Sequence, residues 1–326
     1  MRPFADVSSV GQVRRLAAGI RACYAAEGVA LPSLRLIDHQ HNTTFRATFP
    51  DGSRRFVRVS RGEDRTAAAV ASEVAWIEAL AVADFPVARP FRWSDGSLVR
   101  FIPAGALGLP ADAEPRMVSQ FRWVTGRGSN RPPARHWAAI GHVMARLQTY
   151  TMEHPQLGPD RWQVDAMVPN QGDTEQGLRA VEEVHGVVGR RLAESVGREY
   201  LAARPSLGPV IPLHGDLHQH NVLFDRDQMT VVDFDDCGYG IPIFDLAVPI
   251  REIRENRIEG AEAALVDGYR QVRDLPAGYP DALPLVLRLR TAQLLMWVCS
   301  ERGHPGFASW WRTYADLWLG HLRDGI

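Results

Sequence analysis

The stretch from Ile211 to Asp236 constrains the fold of this chain more than any other. Ile211-Pro212-Leu213 and Val222-Leu223-Phe224 are short apolar runs, and between them lies a polar loop, His214-Gly215-Asp216-Leu217-His218-Gln219-His220-Asn221. Asp225-Arg226-Asp227-Gln228 then forms a polar turn into a further apolar run, Met229-Thr230-Val231-Val232, which ends at Asp233-Phe234-Asp235-Asp236. Short apolar runs bounded by turn-forming residues read as strands, so the segment predicts a loop followed by a hairpin. Asn221 follows Asp216 by five positions and Asp233 follows Asn221 by twelve, an interval over which a hairpin brings Asp233 back beside Asn221.

Two carboxylates and an amide so arranged suit phosphoryl transfer. A basic carboxylate must meet the acceptor hydroxyl while separate oxygen ligands hold magnesium on nucleotide phosphates, so the groups have to converge without being adjacent. Taken singly, an Asp two residues after a His is as readily a turn residue capping backbone amides. The mutually consistent spacing of Asp216, Asn221, Asp233 and Asp245, with strands between them, favours the chemical reading.

At these residues the chain resembles the aminoglycoside phosphotransferase and choline kinase superfamily, whose loop reads H-G-D-x-x-x-x-N and whose metal strand carries an apolar pair before Asp. Asp233-Phe234-Asp235-Asp236, with Gly238, Gly240-Ile241-Pro242 and Phe244-Asp245-Leu246 after it, is most similar to the bacterial stress-response kinase A and homoserine-kinase-like branch. The resemblance implies an α+β, two-lobed protein-kinase-like fold. A small antiparallel-sheet N-terminal lobe, residues 1–120, would bind nucleotide, and a mainly helical C-terminal lobe, residues 121–326, would carry catalysis and substrate. It implies Asp216 as the residue that orients the attacking hydroxyl and accepts its proton, and Asn221 and Asp233 as magnesium ligands. Asp245 would brace the catalytic loop through its backbone amides, and His214 would pack beneath it. ATP and Mg2+ are the implied cofactors.

The composition agrees with an enzyme of this size. A chain of 326 residues that is 45% hydrophobic and 23% charged can bury a large core and suggests two lobes. A formal net charge of −1 gives no overall pull toward nucleic acid or an anionic membrane. The opening residues Met1 to Asp6 lack an apolar secretory core, and the apolar segment Leu283 to Val298 is broken by Arg288, Arg290 and Gln293, so it reads as a core helix rather than a membrane span. Cys23, Cys237 and Cys299 are widely spaced, without a C-x-x-C pair, and read as reduced thiols of a cytoplasmic protein.

The chain contains no lysine; all 37 of its Lys+Arg residues are arginine. Kinases place a lysine on the third strand of the small lobe to hold nucleotide phosphates, so another cation has to serve here. Arg55-Phe56-Val57-Arg58-Val59-Ser60 alternates as a strand after the Asp51-Gly52 turn, and Arg58 matches the family lysine. A guanidinium can bridge phosphate oxygens in a planar, bidentate way that an ammonium cannot. A helix predicted from Arg65 to Leu80 carries Glu73, the expected partner of Arg58. The turn Asp38 to Thr44, before a strand at Phe45 to Phe49, would cover the nucleotide with polar donors including Asn42 and Thr43. Arg116 to Arg127 reads as a strand ending at a glycine; in the family such a segment is the hinge, and Trp123-Val124 could wall the purine.

Beyond the hinge, His136 to Leu147 puts Trp137, Ile140, Met144 and Leu147 on one helical face. Residues 155–172 read as a loop and 175–203 as helix, while Asp245 to Val272 and Pro280 to Leu322 read as helices with an aromatic bias from Trp297, Trp310, Trp311 and Trp318. The acceptor of such enzymes lies between the catalytic loop and these late helices, so Asp236, Tyr239, Trp297 and Glu301 are candidate walls. The partners expected are a nucleotide and a hydroxyl-bearing small molecule, with a protein Ser/Thr acceptor as the alternative. Two other classes stay open: a nucleotide-binding pseudokinase, suggested by arginine at the lysine position, and a metal-dependent hydrolase, suggested by His214, Asp216, His218 and His220 in one loop.

Overall fold

Alternation in the first part of the chain builds a single antiparallel sheet. The computed structural model describes residues 2–30, 32–40, 42–60, 66–110, 112–159, 167–169 and 174–325. They fall into two compact units, Met1–Gly126 with Asp225–Val232, and Arg127–Phe224 with Asp233–Ile326.

In the first unit, β1 (Ser33–His39), β2 (Thr43–Thr48), β3 (Arg54–Ser60), β4 (Arg100–Ile102) and β5 (Arg116–Arg122) form a five-stranded sheet in the order β1-β2-β3-β5-β4. The period-two pattern of β2 buries Thr43, Phe45 and Ala47. Its register sets Phe45 opposite Val57 and Thr44 opposite Arg58, and β5 sets Ser119 opposite Arg58. Helix α1 (Ser9–Ala26) covers one face: Leu16, Ile20 and Tyr24 pack with Phe45, Val57, Val59 and Val118. Each such fully buried apolar side chain contributes about 1.5–3 kcal/mol. Residues 9–26 carry no predicted element, so this helix is an addition to the expected lobe. The Tyr24 hydroxyl donates to Gln120 Oε1 at 2.9 Å, which fixes the helix on the sheet.

Helix α2 runs Ala67–Val82, capped by Thr66, whose hydroxyl accepts the Ala69 amide at 3.1 Å. It ends two residues beyond the predicted Leu80, and the predicted start at Arg65 lies outside the described residues. The predicted turn at Asp38 to Thr44 is shorter in the structure, because β1 continues to His39 and β2 begins at Thr43. A short helix α3 (Ala104–Leu107) follows β4, and β8 (Gln228–Val231) also belongs to this unit.

The second unit is mainly helical: α4 (Ala134–Glu153), α5 (Glu175–Ala203), α6 (Pro242–Glu255), α7 (Ala261–Arg270), α8 (Leu283–Ser300) and α9 (Trp311–Asp324). Trp137, Ile140, Met144 and Leu147 of α4 are buried. Helices α4 and α7 touch backbone to backbone, since a Cβ added at Gly141 would sit 1.9 Å from the Leu265 carbonyl oxygen. The stretch read as helix from Asp245 to Val272 is two helices, broken at Gly260, whose φ of 71° suits glycine. Of the loop read at 155–172, residues 155–157 form one 3-10 turn and much of the rest lies outside the described residues. Among the described residues no helix is long and apolar enough to cross a membrane.

Strand β6 (Ile211–Leu213) pairs antiparallel with β9 (Gly238–Gly240), with Leu213 opposite Gly238. This non-local pair positions the polar loop that follows β6. Strand β7 (Val222–Asp225) leads out of that loop, and the turn Arg226–Asp227 separates it from β8.

Candidate active site

The loop from His214 to Asn221 is anchored from beneath by Asp245, in the first turn of α6. Asp245 Oδ1 accepts the Gly215 amide at 2.9 Å and Oδ2 accepts the His214 amide at 3.3 Å. Asp245 is fully buried, and burial, outweighing these two amides, pushes its carboxyl up to about 6. His214 is also fully buried; its Nδ1 accepts the Asp216 amide at 3.3 Å, and its ring lies 4.5 Å from that of Phe234. Gly215 has φ +80°, and a Cβ there would stand 2.1 Å from the Asp236 carbonyl oxygen. Only glycine fits, and so the turn after Asp233 can lie directly against the loop.

Three side chains converge on the Asp216 carboxylate. Arg290 Nη2, from the middle of α8, donates to Oδ1 at 2.5 Å. His218 Nε2 lies 3.2 Å from Oδ2, and Asn221 Nδ2 donates to Oδ2 at 2.8 Å and to the Asp216 carbonyl at 2.9 Å. His218 Nδ1 accepts the His220 amide at 3.2 Å, so the ring proton that faces Asp216 is on Nε2. Burial alone would push the Asp216 carboxyl up, but His218 and Arg290 beside it outweigh burial and hold the group well below the usual carboxylate range. The carboxylate is thus fixed, ionised and 19% exposed.

The donor chemistry of Asn221 and Asp233 suits a hard cation. With its amide nitrogen committed to Asp216, Asn221 has its side-chain oxygen left to act as a ligand. Asp233 is exposed, and its backbone holds the left-handed conformation with φ 61° and ψ 68°. One amide oxygen and one carboxylate are what magnesium accepts when nucleotide phosphates and water complete its shell. Among the described residues no three His, Cys, Asp or Glu side chains are grouped to hold a metal, so the histidines of the loop do not form the ligand set of the hydrolase alternative.

In the first unit Arg58 Nη1 lies 2.7 Å from Glu73 Oε1, linking β3 to α2, with side-chain exposures of 6% and 0%. The Arg58 guanidinium also sits 5.6 Å over the Phe121 ring. Asn42 accepts the Gln40 amide through its carbonyl at 3.1 Å, and the Thr43 hydroxyl is 2.7 Å from His39 Nδ1. Trp123 lines a cavity of about 630 Å³ with Gly52, Arg54, Arg89, Phe91 and Arg122, and Val124 beside it is half-buried.

The candidate acceptor walls lie on separate elements of the second unit. Asp236 is exposed, with its carbonyl against Gly215; Tyr239 lies on β9 opposite Pro212. Trp297 packs on Phe307 and Trp310, and Glu301 opens the short turn after α8, where its carbonyl accepts the His304 amide at 2.8 Å. Along the sequence Arg290 stands out only as a residue that breaks an apolar run. A guanidinium inside a buried helix needs a carboxylate partner, and that was the available signal.

The phosphotransferase enzyme family model (APH) matches residues 33–282. A homoserine kinase of Pseudomonas aeruginosa is 28% identical over 217 residues, and this match covers 63% of the present chain and 61% of that protein. An uncharacterized protein of Deinococcus radiodurans is 27% identical over 336 residues, covering 99% of this chain and 92% of that one. Among solved structures, the amicoumacin kinase hAmiN in complex with AMP-PNP, Ca2+ and Ami has a TM-score of 0.73 at 16% identity, over 94% of this chain and 96% of its own. A microcompartment-associated aminopropanol kinase has a TM-score of 0.71 at 23% identity, over 93% and 95%. These likenesses show a protein-kinase-like fold, with an antiparallel-sheet N-terminal part and a mainly helical remainder. The family model spans well over half of the sequence, and the chain belongs to the phosphotransferase enzyme family.

Proposed function

We propose that this chain transfers the γ-phosphoryl group of ATP to the hydroxyl of a small-molecule acceptor, with Mg2+ as the metal. The observation that carries this reading is the occupancy of Asp216. A carboxylate offers about four lone-pair positions; His218 and Asn221 take those of Oδ2, and Arg290 takes one of Oδ1. One position on Oδ1 is left, on a side chain that cannot rotate. It suits a hydroxyl that must be aimed at phosphorus.

Asp216 orients the acceptor and takes up its proton. Asn221 and Asp233 would hold magnesium, which when bound would neutralise phosphate charge. Asp245 and His214 keep the loop in place. Residues 1–120 serve the nucleotide: Arg58, fixed by Glu73, answers phosphate charge in place of the family lysine, Asn42 and Thr43 approach the phosphates, and Trp123 with Val124 walls the purine. Residues 121–326 serve catalysis and acceptor, with Asp236, Tyr239, Trp297 and Glu301 as candidate walls. The buried cysteines, none of them in a disulfide among the described residues, suit a cytoplasmic enzyme.

Relatives named homoserine kinase and aminopropanol kinase put amino alcohols first among acceptors. Release of ADP from MgATP should therefore be measured with L-homoserine, 1-amino-2-propanol, choline, an aminoglycoside and Ser/Thr peptides. A small alcohol is expected to raise ADP release far above the rate with water. No response to any alcohol would refute the reading, and phosphorylated peptide alone would move the chain to the protein kinases. Asp216→Ala should lower turnover by about 10²–10⁴-fold with nucleotide affinity retained; near-normal turnover would reject the role.

A further inference from the structure

Arg290 forms an ion pair with Asp216. Its neighbour on α8, Arg288, is bound by both carboxylate oxygens of Glu199. Arg290 instead uses one nitrogen, Nη2, on Oδ1 of Asp216. Among the described residues its Nε and Nη1 make no hydrogen bond, yet neither is sealed from solvent. A guanidinium has five N–H donors in a fixed plane, so once Nη2 is pinned the direction of the others is set as well.

The free lone pair of Asp216 is on Oδ1, the same oxygen that Arg290 holds, because Oδ2 is taken by His218 and Asn221. A hydroxyl bound there sits next to the guanidinium. The phosphorus that this hydroxyl attacks is then one bond further on, within reach of the donors left over.

We propose that Arg290 is a catalytic residue: while Nη2 holds Asp216, its remaining donors hydrogen-bond an oxygen of the phosphoryl group in transit. This rests on the phosphotransferase reading above. As the acceptor oxygen bonds to the γ-phosphorus, the bond from phosphorus to the β,γ-bridging oxygen breaks and its electron pair leaves on ADP. The hydroxyl proton passes to Asp216 and then to solvent. Negative charge spreads over the equatorial oxygens of the transferring group, and a cation fixed beside the attacking oxygen is preorganised to meet it.

The test compares Arg290→Lys, Arg290→Gln and Arg290→Ala with the parent enzyme, using MgATP and the best acceptor of the panel above. Arg290→Gln should lower kcat by about 10²–10³-fold while KM for both substrates stays within about threefold. Arg290→Lys should keep part of that rate, and millimolar guanidinium should restore turnover to Arg290→Ala but not to Asp216→Ala. A merely structural arginine would not respond to guanidinium in a folded variant, and thermal unfolding curves establish that each variant is folded. The proposal is overturned if Arg290→Gln keeps kcat within threefold, or if KM of the acceptor alone rises, which would make Arg290 an acceptor anchor. Absence of ADP release in the parent enzyme with every alcohol is the separate failure of the phosphotransferase reading itself.

Discussion

Asp245 Oδ1 accepts the backbone amide of Gly215 at 2.9 Å, joining the first turn of α6 to the loop that carries Asp216 thirty residues earlier. The same carboxylate takes the His214 amide, so one fully buried side chain satisfies two loop amides at once. Asp245→Ala leaves both without an acceptor, at about 1–3 kcal/mol for each buried group. Urea unfolding should show a loss of that order, with Asp245→Asn losing less because one amide oxygen can still accept.

The same residue predicts a pH dependence. Burial pushes its carboxyl up to about 6, above the ~3.9 of an unfolded chain, so between these values the folded state binds the extra proton. The stability this group contributes is fully present below about pH 4 and is lost as pH rises toward 6, by up to roughly 3 kcal/mol. Stability of the parent protein relative to Asp245→Asn should fall over that window. A difference that stays flat from pH 4 to 7 would contradict the assignment.

Gly215→Ala should be damaging despite its small size. The added Cβ meets the Asp236 carbonyl at 2.1 Å, on a residue with φ +80°. The backbone conformation alone costs about 1–3 kcal/mol, and relief of the clash would separate the loop from the turn after Asp233. Chemical denaturation and ADP release should both record the loss, and retention of full activity would show that the two segments need not touch.

Arg58 and Glu73 form an ion pair at 2.7 Å with almost no exposure. Removing one member strands a buried charge, at about 3–5 kcal/mol, so Arg58→Met and Glu73→Gln should each destabilise strongly. The double variant Arg58→Met/Glu73→Leu should recover much of the stability but not the nucleotide affinity. Calorimetric titration with ATP checks this, and nucleotide affinity equal to that of the parent would remove Arg58 from the phosphate site.

Asp233 holds a left-handed backbone with φ 61°, a conformation glycine adopts without strain. Asp233→Gly should therefore keep stability within about 1 kcal/mol while weakening magnesium-dependent nucleotide binding on the order of tenfold or more. Measuring ATP binding with and without Mg2+ separates the two effects. Loss of stability without loss of magnesium dependence would mean that Asp233 is structural.

The strands around the polar loop and the late helices were legible because their signals are local. Val222 to Asp225 and Gln228 to Val231 are marked by apolar runs and turn residues, α5 by helical spacing, and α8 by an apolar run interrupted by polar residues. Helix α1 carries helical spacing at Leu16, Ile20 and Tyr24, but that spacing alone does not tell which sheet face these residues cover. Arg290 lies 74 residues from Asp216, and no spacing rule connects two elements that meet only when α8 packs beside the loop. The pairing of β6 with β9 is hidden for the same reason, since three-residue strands carry too little pattern to name their partner.

The chain's order of residues by itself determined which groups are available: an Asp, an Asn and a second Asp around a hairpin, and arginine as the sole strong cation in a lysine-free protein. Local propensity and turn chemistry act over a few residues, so they could be read in advance. Tertiary structure alone decided which lone pairs of Asp216 are spent and which is open, because Arg290 reaches Oδ1 from α8 while the folded loop turns His218 and Asn221 back onto Oδ2. Hydrogen bonds between distant segments depend on packing, and packing is settled only when the whole core closes.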